Sequence, residues 1–237
     1  MATIATPLQQ RLAAVRERLQ KACTAARWSA SGSAGGVTLV AVSKTFPAAA
    51  IREAAQAGQL DFGENYVQEA VEKMASLGDL NPIWHFIGPI QSNKTRAIAE
   101  HFTWVHSVDR EKIARRLSEQ RPEGLEPLQV CIEVNLSGEA SKSGLPRQEL
   151  AGLANVIAKL PRLRLRGLMT IPEPGDDMAL RRQRFAELRG LLEGLKQDGL
   201  EVDTLSMGMS ADLEIAVAEG ATMVRIGTAI FGERTNK

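Results

Sequence analysis

Several features typical of disulfide, metal and membrane proteins are missing from this 237-residue chain. Its two cysteines, Cys23 and Cys131, lie far apart without a CxxC spacing, and its three histidines form no metal-ligand pattern with them. No stretch reaches the roughly 20 apolar residues that span a bilayer, and Arg11 precedes any apolar run long enough for a signal peptide. We therefore expect a cytoplasmic protein without disulfides, zinc or a membrane segment.

The chain also lacks an excess of charge of either sign. Lys and Arg number 29 against 28 Asp and Glu, and no dense basic block with interleaved aromatics occurs. Because no net field attracts a polyanion, nucleic acid is not expected as a partner. The 44% apolar share is ordinary for a globular protein. A chain of this length suits one barrel of roughly 250 residues or two small domains.

Short apolar runs alternate with amphipathic stretches from Val37 onward. Eight runs are strand candidates: VTLVAVSK, LDFGEN, IWHFIG, TWVHSV, LQVCIEVNL, LRLRGLMTI, VDTLSMG and TMVRIGTAIFG. Helical patterns lie between them at 48–57, 67–77, 94–101, 110–120, 147–159, 178–198 and 211–219. This alternation predicts an α/β fold, a single-domain (β/α)8 TIM barrel over 1–237. An open doubly wound sheet is the alternative, but no Gly-rich turn follows the first strand.

A helix is predicted before the first strand, over residues 8–27, where Leu8, Leu12, Val15 and Leu19 share one face. The Gly/Ser-rich stretch 29–36 then reads as a loop insertion. Because the chain ends five residues after Gly232, this first helix is expected to take the place of the missing final helix.

The chemistry of a parallel barrel is built at the carboxyl ends of its strands. Lys44 ends the first apolar run and shares strand parity with Val40 and Val42, which predicts a side chain in the barrel mouth. Partial desolvation there would lower the lysine pKa, and a neutral amine condenses with an aldehyde. The alternative is a lysine that extends to solvent at a strand end.

Two further strand ends are candidates for ligand binding. Ser210 is predicted to cap a helix that starts at Ala211, where backbone N–H groups would bind a phosphate or would simply begin an ordinary helix. Arg225 interrupts an apolar strand, and a buried guanidinium needs a partner. That partner is either a carboxylate such as Glu133 or a ligand acceptor, with Gly227 letting backbone amides approach a phosphate.

Taken together, these stretches resemble the pyridoxal phosphate homeostasis proteins, also called the YggS or PROSC family. The matching segments are VAVSKT at 40–45, FGENY at 62–66, WHFIG at 84–88 with Gln91, Asn93 and Lys94, LSMGMS at 205–210 and VRIGTAIFG at 224–232. They run in order from the first strand to the last, and each lies at a strand end.

The resemblance implies the barrel of bacterial alanine racemase, a fold-type III pyridoxal 5′-phosphate-binding barrel. It implies that Lys44 holds the cofactor as an internal aldimine, a Schiff base, and that Arg225 faces the pyridine nitrogen. It places Ser206, Ser210, Gly227 and Thr228 around the phosphate. Three more residues match family positions near the cofactor without an assigned contact: Asn65, His85 and Met207.

The function implied is to buffer pyridoxal phosphate and deliver it to apo forms of cofactor-dependent enzymes, as part of vitamin B6 homeostasis. We expect a monomer. We also expect no enzymatic turnover, because nothing in the chain is predicted to cover the barrel mouth. Two alternatives stay open: a weak amino-acid racemase that uses Lys44 and Tyr66, and a scaffold that the cofactor merely stabilises. Lys142, in the loop after the fifth strand, is either a secondary docking lysine for the aldehyde or a mobile surface lysine, and we favour the surface lysine.

Overall fold

The computed structural model describes residues 5–26, 36–138, 143–173, 175 and 177–233. Lys142 lies outside these residues, and so does the predicted insertion 29–36 except for Gly36. Within the described part of the chain, no helix has the length and apolar character needed to cross a bilayer.

Eight parallel strands form a closed barrel, as the alternating pattern predicts. Their bounds are β1 Thr38–Val42, β2 Asp61–Glu64, β3 Ile83–Phe86, β4 Trp104–Val108, β5 Leu128–Asn135, β7 Leu163–Met169, β8 Thr204–Ser206 and β9 Met223–Ile226. Pairing of β1 with β9 and of β4 with β5 closes the ring. A two-residue strand, β6 (Leu145–Pro146), pairs with the end of β5 outside the ring.

Helices follow the strands around the outside. Their bounds are α1 Pro7–Ala25, α2 Ala48–Gln56, α3 Val67–Ser76, α4 Thr95–His101, α5 Glu111–Gln120, α6 Leu150–Ile157, α7 Met178–Gln197, α8 Leu213–Ala218 and α9 Thr228–Phe231. The last of these corrects the sequence prediction, which extended the final strand run to Gly232. Gly227 has helical backbone angles (φ −113°, ψ −77°), so the chain leaves the sheet there and makes one helical turn.

The first helix completes the outer ring, as predicted. Thr6 and Gln9 form a capping box at its start, and Pro7 occupies the first helical position. The helix packs against α2, α8 and α9. Arg11 ties it to the end of the barrel, because its Nε donates to the carbonyl of Ile230 over 2.8 Å.

A small apolar cluster inside the barrel consists of Trp104, Cys131, Met169 and Met223. Two residues further along β4, β5 and β9, and therefore on the same face of each strand, the side chains are polar. These inward polar residues are His106 on β4, Glu133 on β5 and Arg225 on β9, each at most 5% exposed. These three side chains form a polar floor inside the barrel, beneath the carboxyl ends of the strands.

A cavity at the carboxyl ends of the strands

A cavity of about 300 Å³ opens at the carboxyl ends of the barrel strands. Its polar lining consists of Lys44, Asn65, Ser210, Arg225 and Thr228, with the backbone of Gly227. Apolar side chains complete the walls: Val42, Phe46, Ile87, Ile171 and Met209. The volume lies at the lower end of the range for small-molecule sites, about 300–1,000 Å³. The structure therefore brings six of the eight predicted site residues together around one small pocket.

Lys44 follows β1 and is half-buried at the edge of this cavity. The residues on either side of it in the chain, Ser43 and Thr45, are held by hydrogen bonds to glutamate side chains. The Ser43 hydroxyl donates to Glu64 Oε1 over 2.7 Å, and the Thr45 N–H donates to Glu69 Oε1 over 2.5 Å. Thr45 has a φ of +70°, a left-handed conformation that is unfavourable for a β-branched residue. These two anchors fix the turn from which the lysine side chain projects.

The carboxylates behind this turn are organised by Lys73, which is itself 6% exposed. Its ammonium donates to Glu64 Oε1 (2.7 Å), to Glu69 Oε1 (2.6 Å) and to the carbonyl of Ser43 (2.9 Å). Burial raises the pKa of Glu64, and the Lys73 charge opposes that rise. These contacts were not predicted from the sequence, although Glu69 and Lys73 stand at the i, i+4 spacing that brings side chains together on a helix.

Asn65 lies beside Lys44 after β2, and its Oδ1 atom is buried without a hydrogen-bond partner among the described residues. Its backbone packs closely on Gly88. A Cβ atom at position 88 would lie 2.8 Å from Asn65 Cα and closer still to the Asn65 carbonyl oxygen. Glycine is therefore required at position 88 for Asn65 to occupy the cavity wall. An unpaired buried acceptor is costly, so this amide is poised for a ligand.

Arg225 extends from β9 into the floor of the cavity. Its NH1 donates to Ser206 Oγ over 2.7 Å and its NH2 to the carbonyl of Thr170 over 3.0 Å. These contacts, and not a close ion pair with Glu133, hold the guanidinium, although the Glu133 charge acts on it through space. Burial lowers the pKa of Arg225 to about 10, so the side chain stays a cation at neutral pH.

The loop that carries Ser210 differs from its predicted form. Ser210 does not cap the helix, because α8 begins at Leu213 and Asp212 occupies the N-cap position. The Asp212 carboxylate accepts from the Met209 N–H (2.6 Å) and from Arg181 (3.2 Å). With Asp212 held in this way, the helix begins at Leu213 and not at Ala211. Ser210 is left in the preceding turn, where it lines the cavity.

Gly227 and Thr228 line the cavity where the chain leaves β9, the strand next to β8. A Cβ atom at position 227 would lie 3.3 Å from the Val42 carbonyl oxygen, which is tight for any side chain. The glycine thus brings backbone and the Thr228 hydroxyl to the cavity edge. The turns after two adjacent strands, β8 and β9, therefore bring hydroxyl side chains to the same pocket.

Four residues singled out from the sequence do not line this cavity. Ser206 is fully buried beneath it and contacts Arg225, and His85 is fully buried within the barrel. Met207 is also fully buried and packs in the outer hydrophobic core. Tyr66 is 56% exposed and precedes α3.

The donors present around the cavity match the chemistry of pyridoxal phosphate. A primary amine suits its aldehyde, a guanidinium suits its pyridine nitrogen, and hydroxyl groups suit its phosphate. The unpaired Asn65 oxygen adds an acceptor that a ligand can satisfy. By contrast, the described residues contain no cluster of three or more His, Cys, Asp or Glu side chains that would hold a metal ion.

Comparison with known proteins gives a consistent result. The family model described as alanine racemase, N-terminal domain, matches residues 9–235. The pyridoxal phosphate homeostasis protein of Pseudomonas aeruginosa is 60% identical over 234 residues, which cover 99% of this chain and 97% of that protein. The protein of the same name from Escherichia coli K12 is 52% identical over 226 residues, covering 94% and 95%.

Solved structures agree in fold. PipY of Synechococcus elongatus, determined with PLP bound, is 41% identical, has a TM-score of 0.83 and covers 95% of this chain and 100% of its own. Alanine racemase from Streptomyces coelicolor is 21% identical with a TM-score of 0.71, covering 95% and 57%, and shares the fold alone. The chain therefore belongs to the family of pyridoxal phosphate homeostasis proteins, built on the alanine racemase N-terminal domain.

Proposed function

We propose that this protein binds pyridoxal phosphate in the cavity at the strand ends and serves as a carrier in pyridoxal phosphate homeostasis. The observation that supports this most is the convergence of Lys44, Arg225 and two hydroxyl side chains, Ser210 and Thr228, on one pocket of about 300 Å³. The names of its relatives and the PLP bound to PipY point the same way.

Each lining residue has a role that its chemistry suggests. Pyridoxal phosphate supplies an aldehyde that condenses reversibly with a primary amine, and Lys44 is the amine in the cavity. Arg225 would donate to the ring nitrogen and, as a group that does not give up its proton, would leave that nitrogen unprotonated. Ser210, Thr228 and the backbone of Gly227 would hold the phosphate. The Asn65 amide contributes a further polar contact from the wall.

A carrier is favoured over a racemase by the position of Tyr66. Racemisation needs two acid/base groups on opposite faces of the substrate carbon. Tyr66 is the chain's single tyrosine; it is 56% exposed and does not line the cavity with Lys44. We therefore infer binding and release without turnover.

The test is transfer of cofactor. Protein loaded with pyridoxal phosphate and freed of excess ligand by gel filtration is mixed with the apo form of a pyridoxal phosphate-dependent enzyme, whose regained activity is followed. We expect reactivation, with no loss of optical rotation from L-amino acids when the carrier is incubated alone. A large rise in melting temperature without transfer would support the scaffold role instead, and loss of optical rotation would support the racemase.

Assembly and cellular location are further parts of the proposal. We expect the protein to act as a monomer in the cytosol, where apo-enzymes await their cofactor. Sedimentation at micromolar concentration and cell fractionation test the two statements separately. A dimeric mass or recovery outside the cytosolic fraction would contradict them.

A further inference from the structure

A line of polar side chains, partly exposed at Asp61 and buried beyond it, crosses the interior of the barrel beneath the cavity. It starts at Asp61, the first residue of β2, where Oδ1 lies 3.0 Å from His85 Nε2. His85 Nδ1 lies 2.9 Å from His106 Nε2, and His106 Nδ1 lies 2.7 Å from Ser206 Oγ. Ser206 accepts from Arg225 NH1 over 2.7 Å. Four hydrogen bonds thus link the amino end of the barrel to a cavity residue at the other end.

We propose that Asp61, His85, His106 and Ser206 form a hydrogen-bond relay of fixed direction that positions the Arg225 guanidinium at the cavity. The statement rests on the proposed function only in its last step, where Arg225 meets the ligand. It also gives Ser206 a different role from the phosphate contact implied by the family resemblance. Ser206 is a positioning residue, because it acts through Arg225.

The chemistry at the two ends fixes the direction of the relay. A guanidinium only donates and a carboxylate only accepts, so Arg225 donates to Ser206 and Asp61 accepts from His85. A neutral imidazole carries one N–H. With that proton of His85 on Nε2, its Nδ1 must accept from His106 Nε2. His106 Nδ1 then accepts the Ser206 hydroxyl proton, and every donor and acceptor in the line is used.

The surroundings of the two imidazoles favour their neutral forms. Both are fully buried, and burial lowers the pKa of each, most strongly for His106, where the charge of Arg225 acts in the same sense. The Trp104 ring stacks on His85 at a centroid distance of 5.7 Å. Two neutral histidines of the same tautomer therefore satisfy the line without placing a second cation beside Arg225.

A polarised chain of this kind holds its end group firmly. Each hydrogen bond strengthens its neighbours in a low-dielectric interior, and reversal of one would leave two donors or two acceptors facing each other. The Thr170 carbonyl supplies the second fixed point for the guanidinium. Arg225 is thereby held in one plane, with the edge outside these two bonds available to the cavity.

The first experiment reads the tautomers directly, in wild-type protein labelled with ¹⁵N-histidine. Long-range ¹H–¹⁵N spectra at pH 7 contain three imidazoles, and a His101→Gln variant identifies the signal of the exposed one. We expect both buried rings to carry hydrogen on Nε2 and none on Nδ1. A hydrogen on Nδ1 of either buried ring, or a doubly protonated ring, would overturn the proposal. This result does not depend on cofactor binding.

The second experiment separates positioning from phosphate contact. Ser206→Ala is titrated with pyridoxal phosphate and with pyridoxal, which lacks the phosphate, and Thr228→Ala is the comparison variant. We expect Ser206→Ala to raise both dissociation constants by about threefold to tenfold, the loss of one hydrogen bond. Thr228→Ala should raise only the constant for pyridoxal phosphate.

Two outcomes of these titrations would refute the role of Ser206. A loss confined to pyridoxal phosphate would make it a phosphate contact, and unchanged constants for both ligands would show that it does not position Arg225. Circular dichroism confirms that each variant is folded before titration. Failure of wild-type protein to bind either ligand would refute the proposed function instead, and the tautomers would still report on the relay.

Discussion

Replacing Glu133 by glutamine removes a carboxyl group from the polar floor of the barrel. Glu133 is 5% exposed and faces inward, near Arg225. Burial raises its pKa from 4.5 to about 7, because the Arg225 charge offsets only part of the cost of desolvation. Glutamine keeps the shape of the side chain and carries no charge. The difference in stability between the two proteins therefore isolates the cost of ionising this one group.

The sign of the effect follows from the direction of the shift. The folded protein holds the Glu133 proton more tightly than the unfolded chain does. The stabilisation that protonated Glu133 contributes to the folded state is therefore complete below pH 4.5 and is lost as the pH rises to 7. Above that pH the loss is constant. At about 1.36 kcal/mol for each pH unit, the interval from 4.5 to 7 corresponds to about 3 kcal/mol of unfolding free energy.

Urea unfolding from pH 5 to pH 8 measures this loss. The protein is first freed of cofactor, since a bound ligand adds its own stabilisation. We expect Glu133→Gln to gain about 2–3 kcal/mol relative to wild type between these two pH values. Other titrating groups are common to both proteins and cancel in the difference. A difference that stays constant with pH would refute the assignment of Glu133 as a desolvated carboxyl.

Other predictions concern the supports of the cavity. Gly88→Ala should destabilise by about 1–3 kcal/mol and weaken retention of pyridoxal phosphate, because the new methyl group displaces Asn65. Its control is Gly190→Ala on α7, where the methyl group meets open space and should stabilise by about 0.5–1 kcal/mol. Lys73→Met should cost about 3–5 kcal/mol by leaving the buried Glu64 carboxylate without its cation, and adding Glu64→Gln should restore part of that loss. Urea unfolding tests each change, and equal effects of the two glycine substitutions, or no rescue by the double variant, would contradict them.

The fold could be predicted because its signals are local. Alternation of short apolar runs with amphipathic stretches indicated eight parallel strands, and the parity of Lys44 with Val42 placed its side chain at the barrel mouth. The end of the last strand was wrong, because the apolar segment 228–231 is equally compatible with a strand. The predicted N-cap of α8 was wrong because Ser210 and Asp212 are both suitable N-cap residues. A distant arginine, Arg181, pairs with Asp212.

The supporting contacts could not be predicted in the same way. His106 and Ser206 meet across 100 positions of the chain, and Glu64 contacts Ser43 across 21. No local periodicity joins such residues. A signal was present in retrospect: WHF at 84–86 and WVHS at 104–107 place a histidine inside a buried strand. A buried polar side chain needs a hydrogen-bond partner, so one histidine in each of two buried strands indicates that the two side chains pair with each other.

The most direct test of the central claim is identification of the residue that reacts with pyridoxal phosphate. Purified protein is mixed with the cofactor, its absorbance is recorded before and after borohydride, and the reduced adduct is located by peptide mass mapping. We expect a visible band that borohydride abolishes and an adduct on Lys44, both absent from Lys44→Ala. No band, or an adduct spread over surface lysines and unchanged in that variant, would contradict it.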